Sequence, residues 1–145
     1  MSAPVQSVAV VHFHLRSAGV TRVIGHAAKM LRQRDVRVVV LSGEPPADGV
    51  ALDADVVVLD GLGYDETRAP WSVDELADRM RAAAKETLGA PPDLWHVHNH
   101  SLGKNVALPG AVRAIAEDGA PVLYQPHDFA EDGRPANYGK MIDHA

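Results

Sequence analysis

Three of the chain's eight histidines, His96, His98 and His100, stand at every second position in the segment DLWHVHNHSLGKN, residues 93–105. A second pair with the same spacing, His12 and His14, closes the apolar run SVAVVHFH, and a further histidine sits in Pro126-His127-Asp128. Imidazole titrates nearest neutral pH, and each ring nitrogen can donate, accept or ligate a metal. Three chemistries are therefore open. Imidazoles on one face can share a divalent ion, with a carboxylate from Asp128 or Glu131 completing the shell. They can instead hydrogen-bond or exchange a proton with a bound ligand, or they can be structural. His-x-His at a strand end decides none of these, and the supply of His and Asp is thin for a two-metal hydrolase centre.

Alternation along a strand puts His96 and His98 on one face and Trp95 and Val97 on the other. His100 joins them only if the strand continues through Asn99, and Ser101-Leu-Gly103 argues against that. His96 then reads as a histidine between layers, bonded to backbone, while His98 and His100 lead into a loop. The turn His14-Leu-Arg-Ser-Ala-Gly19 is a second candidate site. Gly19 permits positive φ or close backbone approach, and the amides of a helix beginning there could receive a phosphate. It also fits an ordinary turn; Arg16 adds charge to the site or faces solvent. Neither a Gly-Lys-Ser/Thr phosphate loop nor GxGxxG after the first strand is present, and Gly61-Leu-Gly63 lies after the third strand without the continuation a dinucleotide site needs. His127 could bond a sugar hydroxyl or phosphate, with Asp128 orienting it or accepting a proton; a local Asx turn is the competing role of Asp128. Glu131, Asp132, Arg134, Asn137 and Tyr138 suit a carbohydrate and equally suit an exposed loop.

These residues need a scaffold, and the apolar pattern supplies one. Strands are expected at 7–14, 36–42, 54–60, 94–98 and 121–125, from runs rich in Val and Leu that suit strands covered on both sides. Val20, Val23, Ile24, Ala27, Ala28 and Leu31 recur at helical spacing. Ser72 with Glu75 forms a capping-box pattern opening a helix over 73–88, which Gly89-Ala-Pro-Pro92 stops. Another helix is expected over 109–117, with Pro109 in its first turn and Gly119 ending it. Residues 131–138 read as a loop, and 139–145 as the start of another element, so the chain is expected to be truncated. The alternation predicts a three-layer, Rossmann-like α/β domain over 1–145 with a mostly parallel sheet. The link between the second and third strands carries too little helical pattern to fix strand order. Ligands of such sheets approach the carboxyl ends of the strands, which gathers His12, His14, His98, His100 and His127 along one rim.

Composition narrows the function classes. A chain of 145 residues that is 46% hydrophobic buries an ordinary core. No cysteine is present, which removes disulfides and thiolate metal sites. The N-terminus has neither a signal-peptide pattern nor a membrane span; the expected location is cytoplasmic, and peripheral membrane contact cannot be read. Asn99-His100-Ser101 fits the glycosylation acceptor pattern by coincidence. A net charge of -5, with basic residues scattered among acidic ones, argues against a nucleic-acid partner.

Three segments in order, LRSAGVTRV after the first strand, DLWHVHNH at the fourth and QPHDFAEDGRP after the fifth, resemble the N-terminal domain of retaining GT-B glycosyltransferases of the family 4 type. The resemblance implies an enzyme with its cleft between two Rossmann-like halves, this half shaping the acceptor side and a C-terminal half, missing here, binding most of a nucleotide-sugar donor. It implies no metal and no other cofactor. Gly19 matches the first glycine-rich loop, which contacts donor phosphate, although Ala18 stands where many relatives have a second glycine. His127 matches the histidine that meets the transferred sugar, and His98 and His100 fall where the cleft meets a small-molecule or carbohydrate acceptor. The expected site thus comprises His127 and Asp128 as catalytic groups, with Gly19, Arg16, His98, His100, Glu131 and Arg134 binding substrate. Without its second half the chain is expected to be inactive. Other readings are a noncatalytic small-ligand-binding domain and a metal-dependent hydrolase.

Overall fold

The computed structural model describes residues 3–128 and 135–143, with only the backbone of residue 135. Five strands, β1 (Ser7–His12), β2 (Arg37–Ser42), β3 (Asp55–Val58), β4 (Leu94–His98) and β5 (Val122–Gln125), form one sheet in the order β3-β2-β1-β4-β5. Every neighbouring pair is parallel. Helices α1 (Gly19–Arg32), α2 (Val73–Leu88), α3 (Leu108–Glu117) and α4 (Pro135–Asp143) complete the described elements, together with a 3-10 turn at Asp60–Leu62. The three-layer, Rossmann-like α/β arrangement is the one expected.

Period-two alternation divides the core. Val8 and Val10 of β1 and Val38 and Val40 of β2 face Ile24 and Ala28 of α1. Ala9, Val11, Val39, Leu41, Trp95 and Val97 face the other way, onto Leu76, Met80 and Ala84 of α2 and Leu108, Val112 and Ile115 of α3. Burying each such Val or Leu contributes about 1.5–3 kcal/mol, which holds the strand ends in fixed register. The helix ends follow local chemistry. Ser72 Oγ accepts the Glu75 N–H at 3.1 Å, and Gly89 takes a left-handed φ of 81° at the other end of α2. Replacing such a cap with alanine typically costs about 1 kcal/mol.

Several boundaries differ from the sequence expectation. The first strand stops at His12: Phe13 keeps the alternation onto the α2 side of the core, but Leu15, which an unbroken strand would place on that same side, enters the α1 side. The third is four residues long and lies at the sheet edge, where Val58 is 41% exposed, so it is not covered on both faces. The segment joining β2 to β3 crosses over without a helix: Leu52 packs on the α1-side core, and the Ala47 N–H bonds the Leu15 carbonyl at 3.0 Å. Residues 135–138, expected as loop, begin α4, whose Asn137 carbonyl comes so close to Gly103, at φ 69°, that a side chain there would collide with it. No helix among the described residues is long and apolar enough to cross a membrane.

Candidate functional site

The strand order reverses between β1 and β4: β2 and β3 lie beyond β1, and β5 lies beyond β4. This switch point is where a crevice opens above the carboxyl ends of a parallel sheet. Val11 and Val97 are register partners at the end of the β1–β4 ladder, so the next residues, His12 and His98, lie side by side at the switch point. Their ring centroids are 6.2 Å apart. His98 also lies against His127, with ring centroids 5.3 Å apart, nearly parallel planes, and Nδ1 of His98 3.0 Å from Nε2 of His127. The structure thus joins His12, His98 and His127 from β1, β4 and the exit of β5.

Burial sets the electrostatics of this group. His98 is wholly buried and His12 is 2% exposed. Desolvation is the largest influence on both and lowers each from the ordinary histidine value to about 3. Neighbouring imidazoles push the same way, His14 on His12 and His96 on His98, while the backbone of His98 opposes the shift of His12 slightly without reaching hydrogen-bond geometry. Both rings are therefore neutral near pH 7. Their buried nitrogens are not all satisfied: Nδ1 and Nε2 of His12 and Nε2 of His98 have no hydrogen-bond partner in the structure. Such atoms cost roughly 1–3 kcal/mol each when left unpaired, so each calls for a partner such as a water or a hydroxyl.

His96 shares the face of His98, as alternation requires, with ring centroids 4.3 Å apart. Its Nε2 donates to Gln125 Oε1 at 2.7 Å, a side-chain partner on β5 where a backbone partner was expected. His100 does not join the cluster: Asn99 adopts a left-handed φ of 52°, the strand ends, and the His100 ring packs on Tyr124, 4.4 Å between centroids.

The turn before α1 is built differently. Gly19 has neither positive φ nor any protein atom within 4 Å of where a side chain would begin, so space over it is open. No side chain caps the first turn of α1, because the N-cap is Ala18. Arg16 is engaged with Glu44, Nε donating at 3.0 Å, on the exposed surface. His14 accepts the Arg16 N–H at 3.3 Å and lies edge-on to Tyr64, 5.6 Å between centroids. Its pKa is lowered by burial and then by Arg16, with Glu44 opposing. Glu131 and Arg134 lie outside the described residues, as does residue 130, on which an Asx turn by Asp128 would close. Among the described residues no group of three or more His, Asp or Glu side chains is placed to hold a metal ion.

Two asparagines that the sequence reading passed over organise the rim. Asn99, matched there only to a glycosylation pattern, is 3% exposed, and its Oδ1 accepts the N–H groups of His127 at 2.6 Å and Asp128 at 3.2 Å. Asn105, 1% exposed, donates through Nδ2 to the carbonyls of Gly61 and Gly63 at 2.9 and 2.8 Å. Its Oδ1 accepts from Ala107 and Leu108 at the start of α3. Gly61 and Gly63 therefore serve a close approach between loops. The available signal for Asn99 was an asparagine directly after a strand, the residue type that most readily follows glycine into left-handed backbone. A family model described as a glycosyl transferase 4-like domain matches residues 18–143, from the N-cap of α1 to the last residue of α4. Among curated protein sequences none matches the chain.

Proposed function

The chain belongs to the glycosyl transferase 4-like domain family, and from that premise we propose that it forms the acceptor side of a GT-B cleft that moves a sugar from a nucleotide-sugar donor to a small-molecule or carbohydrate acceptor. The observation that carries this reading is the His12, His98 and His127 cluster at the switch point, with buried imidazole nitrogens that have no partner within the protein. The neutral, buried imidazoles of His12 and His98 suit sugar hydroxyls, which both donate and accept, better than a fully charged ligand.

In this reading His127 meets the transferred sugar, and Asp128 orients the acceptor hydroxyl or takes its proton. His98 stands behind His127, bonded to its ring. The uncapped amides beside Gly19 face donor phosphate, with Arg16 supplying charge once released from Glu44. His100, Glu131 and Arg134 contribute to the acceptor side. A second GT-B half binds most of the donor nucleotide across the cleft. Orientation of the acceptor and electrostatic stabilisation of the departing phosphate supply the catalysis, and neither a metal nor another cofactor enters.

The test is transfer by the full-length protein from a panel of nucleotide-sugars, with His127→Ala beside it. Loss of the ring is expected to lower kcat/KM by about 10²–10⁴-fold, the usual range for a positioned acid–base group. Transfer unchanged by the substitution would remove His127 from the reaction.

A further inference from the structure

We propose that Asn99 is a positioning residue for the reaction: its side chain sets the backbone of His127 and Asp128 and thereby aims both groups at the substrate. The inference rests on the role given to His127 above. Three contacts carry it. The Asn99 backbone N–H donates to the Gln125 carbonyl at 3.1 Å, extending the β4–β5 ladder by one residue. The chain then turns at φ 52°, and the side-chain Oδ1 takes the N–H groups of His127 and Asp128. One residue thus holds positions 125, 127 and 128. The preceding residue, His98, holds the other end of the same imidazole through its Nε2. The ring of His127 is fixed at its backbone and at one nitrogen, which leaves Nδ1 as the nitrogen that His98 does not hold.

The residue type is demanding. The left-handed conformation disfavours most side chains by about 1–2 kcal/mol and admits glycine, asparagine and aspartate most readily. Two backbone donors call for an acceptor with two lone pairs, which glycine lacks. Asparagine meets both needs without placing a charge beside the imidazoles. Because Asn99 is 3% exposed, it acts through residues 127 and 128 without itself facing the open crevice. Displacement of a reacting group by about 1 Å can cost on the order of 100-fold in rate.

The substitutions separate conformation from hydrogen bonding. Asn99→Gly keeps the left-handed turn and removes the acceptor; Asn99→Asp keeps both and adds a negative charge. In the full-length transferase, Asn99→Gly is expected to lower kcat on the order of 10- to 100-fold with little change in donor KM. Asn99→Asp is expected to retain most of the rate, because it keeps both the turn and the acceptor for the two backbone donors. The ring-nitrogen NMR signals of His127 are followed in the same variants and should shift in both. An Asn99→Gly enzyme with the parental kcat, while His127→Ala has lost activity, overturns the positioning role and leaves the transferase reading standing. If His127→Ala is fully active the transferase role of that residue falls, and the proposal for Asn99 falls with it, whatever the NMR signals show of the contact. Should Asn99→Gly fail to fold, Asn99→Ala, which also removes the acceptor, decides: the parental kcat in that variant overturns the proposal.

Discussion

Two His-x-His segments close neighbouring strands at the carboxyl end of the sheet, His12-Phe-His14 at the end of β1 and His96-Val-His98 in β4, and they are completed in different ways. In both, the middle residue is buried in the α2-side core. The β4 pair is completed by β5: Gln125 takes His96 and His127 takes His98. Across the sheet from β1, the register partner of His12 is Ser42, whose hydroxyl instead accepts the Glu44 N–H at 3.4 Å. His12 is left with both nitrogens unpartnered, while His14 turns outward towards Tyr64 and the Arg16 backbone. Identical spacing thus yields a bonded pair in one place and an unpartnered acceptor-donor in the other. The neighbouring strand decides what a histidine motif does.

The sharpest test of the inner histidines is acid. In the unfolded chain a histidine takes a proton below about pH 6.5, whereas folded His12 and His98 stay neutral down to about 3. The unfolded state then binds more protons, so the stability is fully present above about 6.5 and is lost as pH falls towards 3. Each group contributes a slope of about 1.4 kcal/mol per pH unit, so at pH 5 the two together remove roughly 4 kcal/mol. His96, His14 and His100 shift in the same direction and add to the loss. Urea unfolding at pH 7 and pH 5 measures this, and His12→Leu and His98→Leu should each recover about half of the main effect. Stability flat across that interval would mean that the inner histidines are hydrated in solution.

A smaller effect distinguishes the two segments from one another at neutral pH. His12→Leu removes two unpartnered polar atoms from a buried position of similar volume and is expected to stabilise the fold by at least about 2 kcal/mol. His98→Leu removes one such atom but also gives up the bond to His127, so it should change stability by less than about 1 kcal/mol. Both should impair transfer, the pattern of a site held at a cost in stability. Equal gains from the two substitutions would show that the bond to His127 contributes nothing, and the contrast between the segments would disappear.

The sequence made the elements legible where local chemistry marks them. The Ser72 cap and Gly89 bracket α2, and the limits of β4 follow from Pro92 and the turn at Ser101. The shared face of His96 and His98 follows from alternation alone. Strand order was not legible, because the β2–β3 crossover is covered by Leu52 without a helical pattern. The roles of Asn99 and Asn105 were also hidden, since their partners lie 28–29 and 42–44 residues away along the chain. No local spacing announces such contacts. His100 was grouped with the rim because the turn direction at Asn99 depends on that same distant partner.

The smallest expected effect lies at the β1 end, in the Arg16–Glu44 pair. Both side chains are substantially exposed, at 52% and 36%, so water and salt screen the attraction and Arg16→Ala should cost between zero and about 1 kcal/mol of stability. Its interest is functional. If the open space over Gly19 receives donor phosphate, Glu44 competes with that phosphate for the guanidinium. Glu44→Gln should then lower the donor KM by about two- to fivefold at low ionic strength, and Arg16→Ala should raise it by a similar factor, with both differences shrinking in about 0.5 M salt as screening shortens the range of charge. The measurement is donor KM for the full-length protein and the two variants at both salt concentrations. One KM common to all three would leave Arg16 and Glu44 an ordinary surface ion pair, and the chemistry of the rim would then rest with the buried histidines alone.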